Sequence, residues 1–132
     1  MAYRSTIAIA VYGNKGKLTE LKSYYLREVE KLNDPDVIDD LNTMISASIN
    51  HTGKPIWDDE SGEFFFYATR VIWWPRYPTV SLFDGIFEKS QELGLYAESI
   101  RIGDELKDIE VHYADGDAEC ERRLKVSRAI LF

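Results

Sequence analysis

The sequence predicts a single α+β domain over residues 1–132, and three observations carry that prediction. Some segments alternate large apolar residues with small or polar ones, the period-two signature of a strand. Others repeat apolar residues every three or four positions, the signature of an amphipathic helix. Composition closes the argument: 45% hydrophobic and 13% aromatic residues suffice for one core at this length. Cys120 is the only cysteine, which leaves neither a disulfide framework nor a Cys-rich metal site to build on.

The first strand covers residues 6–12, where Ile7, Ile9 and Val11 alternate with Ala8, Ala10 and Tyr12. "GNKGK" breaks it, and from Leu18 the spacing turns helical through Leu21, Tyr25, Val29 and Leu32. "NDPD" restarts a helix: Asp34 caps, Pro35 suits the first helical position and Asp36 complements the dipole. That second helix runs to about residue 50 with Val37, Ile38, Leu41, Met44, Ile45 and Ile49 inward, and Gly53 near its end.

A hairpin follows, with a short strand around Ile56 and Trp57, an acidic turn containing Gly62, and a long strand over 63–74. Strict alternation puts Phe64, Phe66, Ala68, Ile72 and Trp74 on one face and Phe65, Tyr67, Thr69, Val71 and Trp73 on the other. Both faces are apolar, which places this strand centrally in its sheet. Pro75 and Pro78 stop it, and Thr79 or Ser81 caps a third helix with Leu82, Phe83, Ile86, Phe87 and Leu93 inward and Gly94 at its end. "LYAESIRI" and "DIEVHYA" form a second hairpin, with Ile109, Val111 and Tyr113 inward. Residues 119–132 fit a strand through Leu124, Val126, Ile130 and Phe132, or a helix through Cys120, Leu124, Ser127 and Leu131; the turn signal "ADGD" favours the strand.

Stripped of the inserted helix and the extra C-terminal strand or helix, this is the order of a ferredoxin-like split βαβ sheet, antiparallel, with helices on one face and the other face open. The seven-residue apolar run near the N-terminus is too short to span a membrane and poor as a signal peptide, so the expected location is the cytoplasm.

Charge is uneven. Residues 34–121 hold 20 Asp/Glu against 6 Lys/Arg, net −14, while the rest hold 3 against 10, net +7, giving −7 overall. An acidic middle repels phosphates unless the fold segregates the signs, which disfavours nucleic acid as a partner.

Four groups of residues invite a chemical reading. "GNKGKLT" stands between strand and helix, as phosphate loops do, but only two residues separate its first Gly from Gly-Lys, and Leu18 replaces the magnesium-binding hydroxyl. What remains is weak anion binding, for instance of a nucleotide, by Lys15, Gly16 and Lys17 at a helix N-terminus. His51 and His112 have no metal-ligand spacing, although His112 alternates with Glu110 and Asp108 on a strand face and a carboxylate–His pair is conceivable there. The acid pairs Asp39–Asp40 and Asp58–Asp59 read as solvated surface rather than as a metal or acid–base site, and no cofactor is implied. Cys120, between Glu119 and Glu121, lacks the electropositive setting of a nucleophile.

The densest signal is "RVIWWPRYP", residues 70–78, with two Trp, two Arg, a Tyr and two Pro. Trp and Arg are the residue types most often found as interface anchors, so Trp73, Trp74, Arg76 and Tyr77 are the candidate partner-binding residues. The acids Asp36, Asp39, Asp40, Asp58, Asp59 and Glu60 join them as a surface able to mimic nucleic acid toward a protein partner. The alternative is single-stranded nucleic-acid binding, with Tyr12, Phe65 and Tyr67 stacking bases on an open sheet face, although the arginine- and glycine-containing signature of RNA-recognition domains is absent. Core packing and a homodimer interface are the other uses such rings have.

The stretch from "FFFYATRVIWWP" through "LFDGIFEKSQELGL" to "IRIGDELKDIEVHYADGD" resembles the YubB-type ferredoxin-like domains of phages and plasmids. In those domains an aromatic strand ending in Trp–Pro leads into a helix and then a hairpin, and "IAVYGNKGKLTEL" is similar to their start. "DPDVIDDLNTMISASIN" departs from that pattern. The resemblance implies the fold and a mobile-element origin, and carries over no catalytic residues. The expectation is therefore a noncatalytic accessory protein that binds and inhibits a host protein, a defence or nucleic-acid-processing factor.

Overall fold

A computed structural model of the chain describes residues 3–74, 76–105 and 107–114. The elements run β1 (Ser5–Tyr12), α1 (Lys15–Lys31), α2 (Pro35–Thr52), β2 (Trp57–Asp58), β3 (Glu63–Val71), α3 (Pro78–Glu92), β4 (Tyr96–Gly103) and β5 (Ile109–Ala114). The five strands form one sheet in the order β2-β3-β1-β4-β5, with every neighbouring pair antiparallel. An α+β fold, with a five-stranded antiparallel sheet and three helices, is thus what the described residues adopt. The expected element in residues 119–132 lies outside the described residues.

Local chemistry explains the helix boundaries. Asn14 Oδ1 accepts from the N–H groups of Gly16 and Lys17, which starts α1 a turn before the apolar stripe does. Asp34 accepts from the Asp36 N–H, Pro35 opens α2, and Gly53 closes it at φ 67°, a left-handed conformation that costs glycine little. Helix α3 departs from expectation: Pro78 is its first residue, Tyr77 stands at the N-cap without a side-chain bond, and Thr79 is buried inside the first turn.

One face of the sheet carries the core. Ile7, Ile9 and Val11 of the middle strand β1 stand beside Ala68, Phe66 and Phe64 of β3, in register. Onto them pack Leu18, Leu21 and Tyr25 from α1, Leu41 and Met44 from α2, and Leu82, Phe83 and Ile86 from α3. Phe66 and Phe83 stack at 4.2 Å. Ile49 of α2, expected inward, is exposed at the surface, and Ser48 takes the buried place.

Ser48 is inside for a reason found only in three dimensions. β2 pairs with β3 only at residues 57–58, so the outer edge of β3 needs other partners. The Phe65 N–H donates to the Ile56 carbonyl at 2.9 Å, and the Tyr67 N–H donates to Ser48 Oγ at 2.9 Å. Helix α2 thereby closes an edge that would otherwise invite pairing with another chain. So β3 is an interior strand as expected, next to the middle strand β1 on one side and flanked partly by a strand and partly by a helix on the other.

The second face corrects a further expectation. It carries Ala8, Ala10 and Tyr12 of β1 with Phe65 and Tyr67 of β3, but it is not open: Ala10, Tyr12 and Glu98 are essentially unexposed. Tyr12 O–H donates to Glu98 Oε1 at 3.0 Å and its ring stacks on Tyr96. Strand β5 is turned relative to the predicted orientation as well. His112 lies on the helix side, edge-on to Phe87, while Val111 and Tyr113 are exposed on the other side.

Candidate functional site

The double tryptophan is resolved by a β-bulge. Ser5 pairs with Val71 and Ile7 with Ala68, so two steps on β1 face three on β3. The extra residue is accommodated at Arg70, whose φ of 56° lies in the left-handed region that side chains resist. Arg4 Nη1 donates to the Arg70 carbonyl at 3.2 Å and helps hold that kink. One inserted residue inverts the alternation beyond it. Val71 and Trp73 therefore turn inward against the core, Trp73 lying 5.9 Å from Phe83 between ring centroids. Trp74 turns outward and is 52% exposed. Strict alternation through residue 74 predicts the reverse for both rings, and the expectation of an exposed Trp73 is corrected accordingly.

Beyond the strand the chain folds back in a turn, with the Tyr77 N–H donating to the Trp74 carbonyl at 3.0 Å. This brings the exposed Tyr77 ring to 5.6 Å from that of Trp74. Tyr77, Pro78 and Thr79 then form one wall of a groove of ≈ 280 Å³ whose other wall is Asp36, Val37 and Asp40 at the start of α2. Thr79 Oγ1 donates to Asp40 Oδ2 at 3.4 Å across it. Pro78 is shared with a second concavity of ≈ 230 Å³ between α1 and α3, which includes Tyr24, Leu32 and the Glu28–Lys31 ion pair. Three helix ends thus converge beside two exposed rings.

Of the predicted partner-binding residues, the fold brings Trp74, Tyr77, Asp36 and Asp40 together, with Asp39 exposed on the same turn of α2 and Arg76 exposed in the adjoining loop. It does not bring Asp58, Asp59 and Glu60 there. Those lie in the β2–β3 turn, opposite the end of β1 at Tyr12, whereas the groove lies where β3 leaves the sheet opposite Ser5. The nine residues of β3 separate the two sets by roughly 25–30 Å at ~3.3 Å per residue. A single continuous acidic surface spanning all six is not what the fold builds.

The other candidate groups are placed as follows. Asn14 already occupies the N–H groups of Gly16 and Lys17, and the stem of Lys15 packs on Gly62, so the "GNKGK" loop is a capped turn rather than an anion cradle. Tyr12 is buried and Phe65 and Tyr67 are half-buried, which removes the open stacking platform that base recognition requires. His51 stands edge-on to Tyr67 at 5.8 Å and near Thr69 on the β3 edge. His112 and Glu110 approach to 3.8 Å at the surface. Among the described residues no group of three His, Cys, Asp or Glu could hold a metal ion, and no helix is long and apolar enough to cross a membrane. Cys120 lies outside the described residues.

Sequence reasoning missed a polar knot at the second hairpin. Arg101, with its side chain 13% exposed, pairs with Asp108 at 2.6 Å and Glu110 at 2.6 Å and donates to Ser5 Oγ at 3.1 Å. The hydrogen bond to Asp108 chiefly holds its pKa above the ordinary arginine value. Tyr3 O–H donates to the same carboxylate, and Gly103 lies so close that a Cβ there would clash with Asp108 Oδ2. The knot ties the chain start to the hairpin, and the only signal for it was the density of charge in "RIGDELKDIE". Nearby, burial and the neighbouring Glu88 push the Asp84 carboxyl above its usual range.

No family model, no curated protein and no solved structure matches this chain.

Proposed function

We propose that this chain is a noncatalytic binding module of ferredoxin-like type, which holds a protein partner at the groove between the starts of α2 and α3. The strand order β2-β3-β1-β4, with helices linking β1 to β2 and β3 to β4, supports the ferredoxin-like reading; α2 and β5 are its additions. The observation that carries the function is the exposed Trp74–Tyr77 pair, whose Tyr77 lines a preformed groove. Large rings left in water beside an apolar recess are what an interface covers, because desolvating them is favourable and little side-chain entropy is lost in doing so. The groove offers ring faces and carboxylates, groups suited to holding a partner.

In keeping with the resemblance to YubB-type domains, the partner is a host protein and the outcome is its inhibition. Affinity capture from nuclease-treated host lysate, run in parallel with wild-type protein and Trp74→Ala, tests the proposal. The expected result is a stoichiometric protein retained by the first and lost by the second. Recovery of nucleic acid alone from untreated lysate, or retention unchanged by Trp74→Ala, would overturn it.

A further inference from the structure

The groove also specifies the chemistry of what it holds. We infer that the occupant is a basic, extended segment of the partner, with a Lys or Arg side chain laid on the Trp74–Tyr77 rings and its cationic head among Asp36, Asp39 and Asp40; this deepens the protein-binding reading and rests on it.

Two independent features converge. The rings, 5.6 Å apart and inclined by 36°, are both exposed, and a cation is drawn electrostatically to such rings. The opposite wall supplies the carboxylates of Asp36 and Asp40, with Asp39 exposed on the same turn: among the described residues none of the three is in an ion pair, and Asp40 accepts the long bond from Thr79. Elsewhere on the surface many acids are matched, Asp59 by Lys22, Glu28 by Lys31, Glu92 by Lys89 and Glu110 by Arg101. The one cation of the adjoining loop, Arg76, is exposed and is part of no ion pair among the described residues. The apolar Val37 and Pro78, one in each wall, suit the aliphatic stem of a long basic side chain. The net charge of −7 adds long-range attraction for such a segment.

The test uses the full chain with deca-arginine and deca-lysine peptides, and deca-glutamate as control, followed by tryptophan fluorescence and calorimetry near physiological salt. The oligocations are expected to bind and to perturb the emission, and deca-glutamate to do neither. Because exposed cation–π contacts and ion pairs are each modest, Asp36→Asn/Asp40→Asn and, separately, Trp74→Ala are expected to weaken binding roughly tenfold. Asp34 still caps α2 in these variants, and thermal melts verify folding. The double variant Asp59→Asn/Glu60→Gln removes the same charge at the far turn and is expected to change affinity less than about twofold, since that distance exceeds the screening length. Equal loss in both double variants would assign the attraction to the whole-molecule field and overturn the inference. Absence of oligocation binding would overturn it too, while a partner captured through Trp74 would leave the protein-binding reading standing. Self-association abolished by Trp74→Ala would give the groove to a second copy of this chain, and likewise overturn it.

Discussion

Two acidic clusters sit at opposite ends of β3, and the fold treats them differently. At the β2–β3 turn, Asp58 Oδ1 accepts from the N–H groups of Glu60 and Ser61, and Asp59 meets Lys22 at 3.5 Å. The bonds from Ser61 chiefly hold the Asp58 carboxyl below its usual range. Those acids complete a turn. At the other end, Asp36 and Asp40 line a groove beside exposed rings, with Asp39 exposed on the same turn; the fold uses Asp36 in the first turn of α2, where its charge suits the helix dipole, and Asp40 accepts the long bond from Thr79. Equal charge in the sequence thus divides into one set consumed by local structure and one left facing a recess. Whether a charged run is functional is decided by what already occupies it.

The sharpest test of that division uses the neighbouring tryptophans. Trp73→Ala, which empties a place against Phe83, is expected to cost about 2–4 kcal/mol in urea unfolding. Trp74→Ala is expected to cost less than about 0.5 kcal/mol, as exposed substitutions do, while removing partner capture. Equal destabilisation by both would break the comparison.

Next in size is the edge bond on which α2 is seated. Ser48→Ala leaves the Tyr67 N–H without its acceptor and is expected to lower stability by about 1–2 kcal/mol. Arg70→Gly relieves the left-handed backbone at the bulge and is expected to raise stability by about 0.5 kcal/mol, part of the gain being offset by the greater freedom of glycine in the unfolded chain. Loss of stability in that variant would argue that the bulge is held by the arginine side chain itself.

The smallest effects are the pH-dependent ones, and the signs differ. Asp58 has a depressed folded pKa, so its contribution is present above the ordinary value of 3.8 and is lost as pH falls through the folded pKa; Asp58→Asn should lower the thermal midpoint at pH 7 and lose its effect in strong acid. Asp84 has a raised folded pKa, so its ionised form is a penalty above that pKa, relieved on acidification. Asp84→Asn should raise the midpoint slightly at pH 7, with the gain fading as pH falls through the folded pKa and gone below 3.8.

What the sequence made legible follows from the range of the forces involved. "NDPD" gave the start of α2 to the residue because capping is satisfied within four positions. The strands of both hairpins were readable from alternation for the same reason. The bulge was not: Arg70 is an ordinary residue for a strand, and its positive φ is imposed by the register between Ser5–Ile7 and 68–71, a contact across more than sixty positions. That one inserted residue exchanged the roles of Trp73 and Trp74. Ser48 interrupted an apolar stripe for a purpose visible only once β2 proved too short to shield β3. The groove joins residues 36–40 to 77–79, and no local pattern announces such a meeting.

The most direct measurement of the central claim places a photo-crosslinking amino acid at Tyr77 in one sample and at Glu60 in another, then irradiates each in cell lysate. The account predicts a discrete protein adduct from position 77 and none from position 60. An adduct from position 60 alone, or from neither, would contradict it.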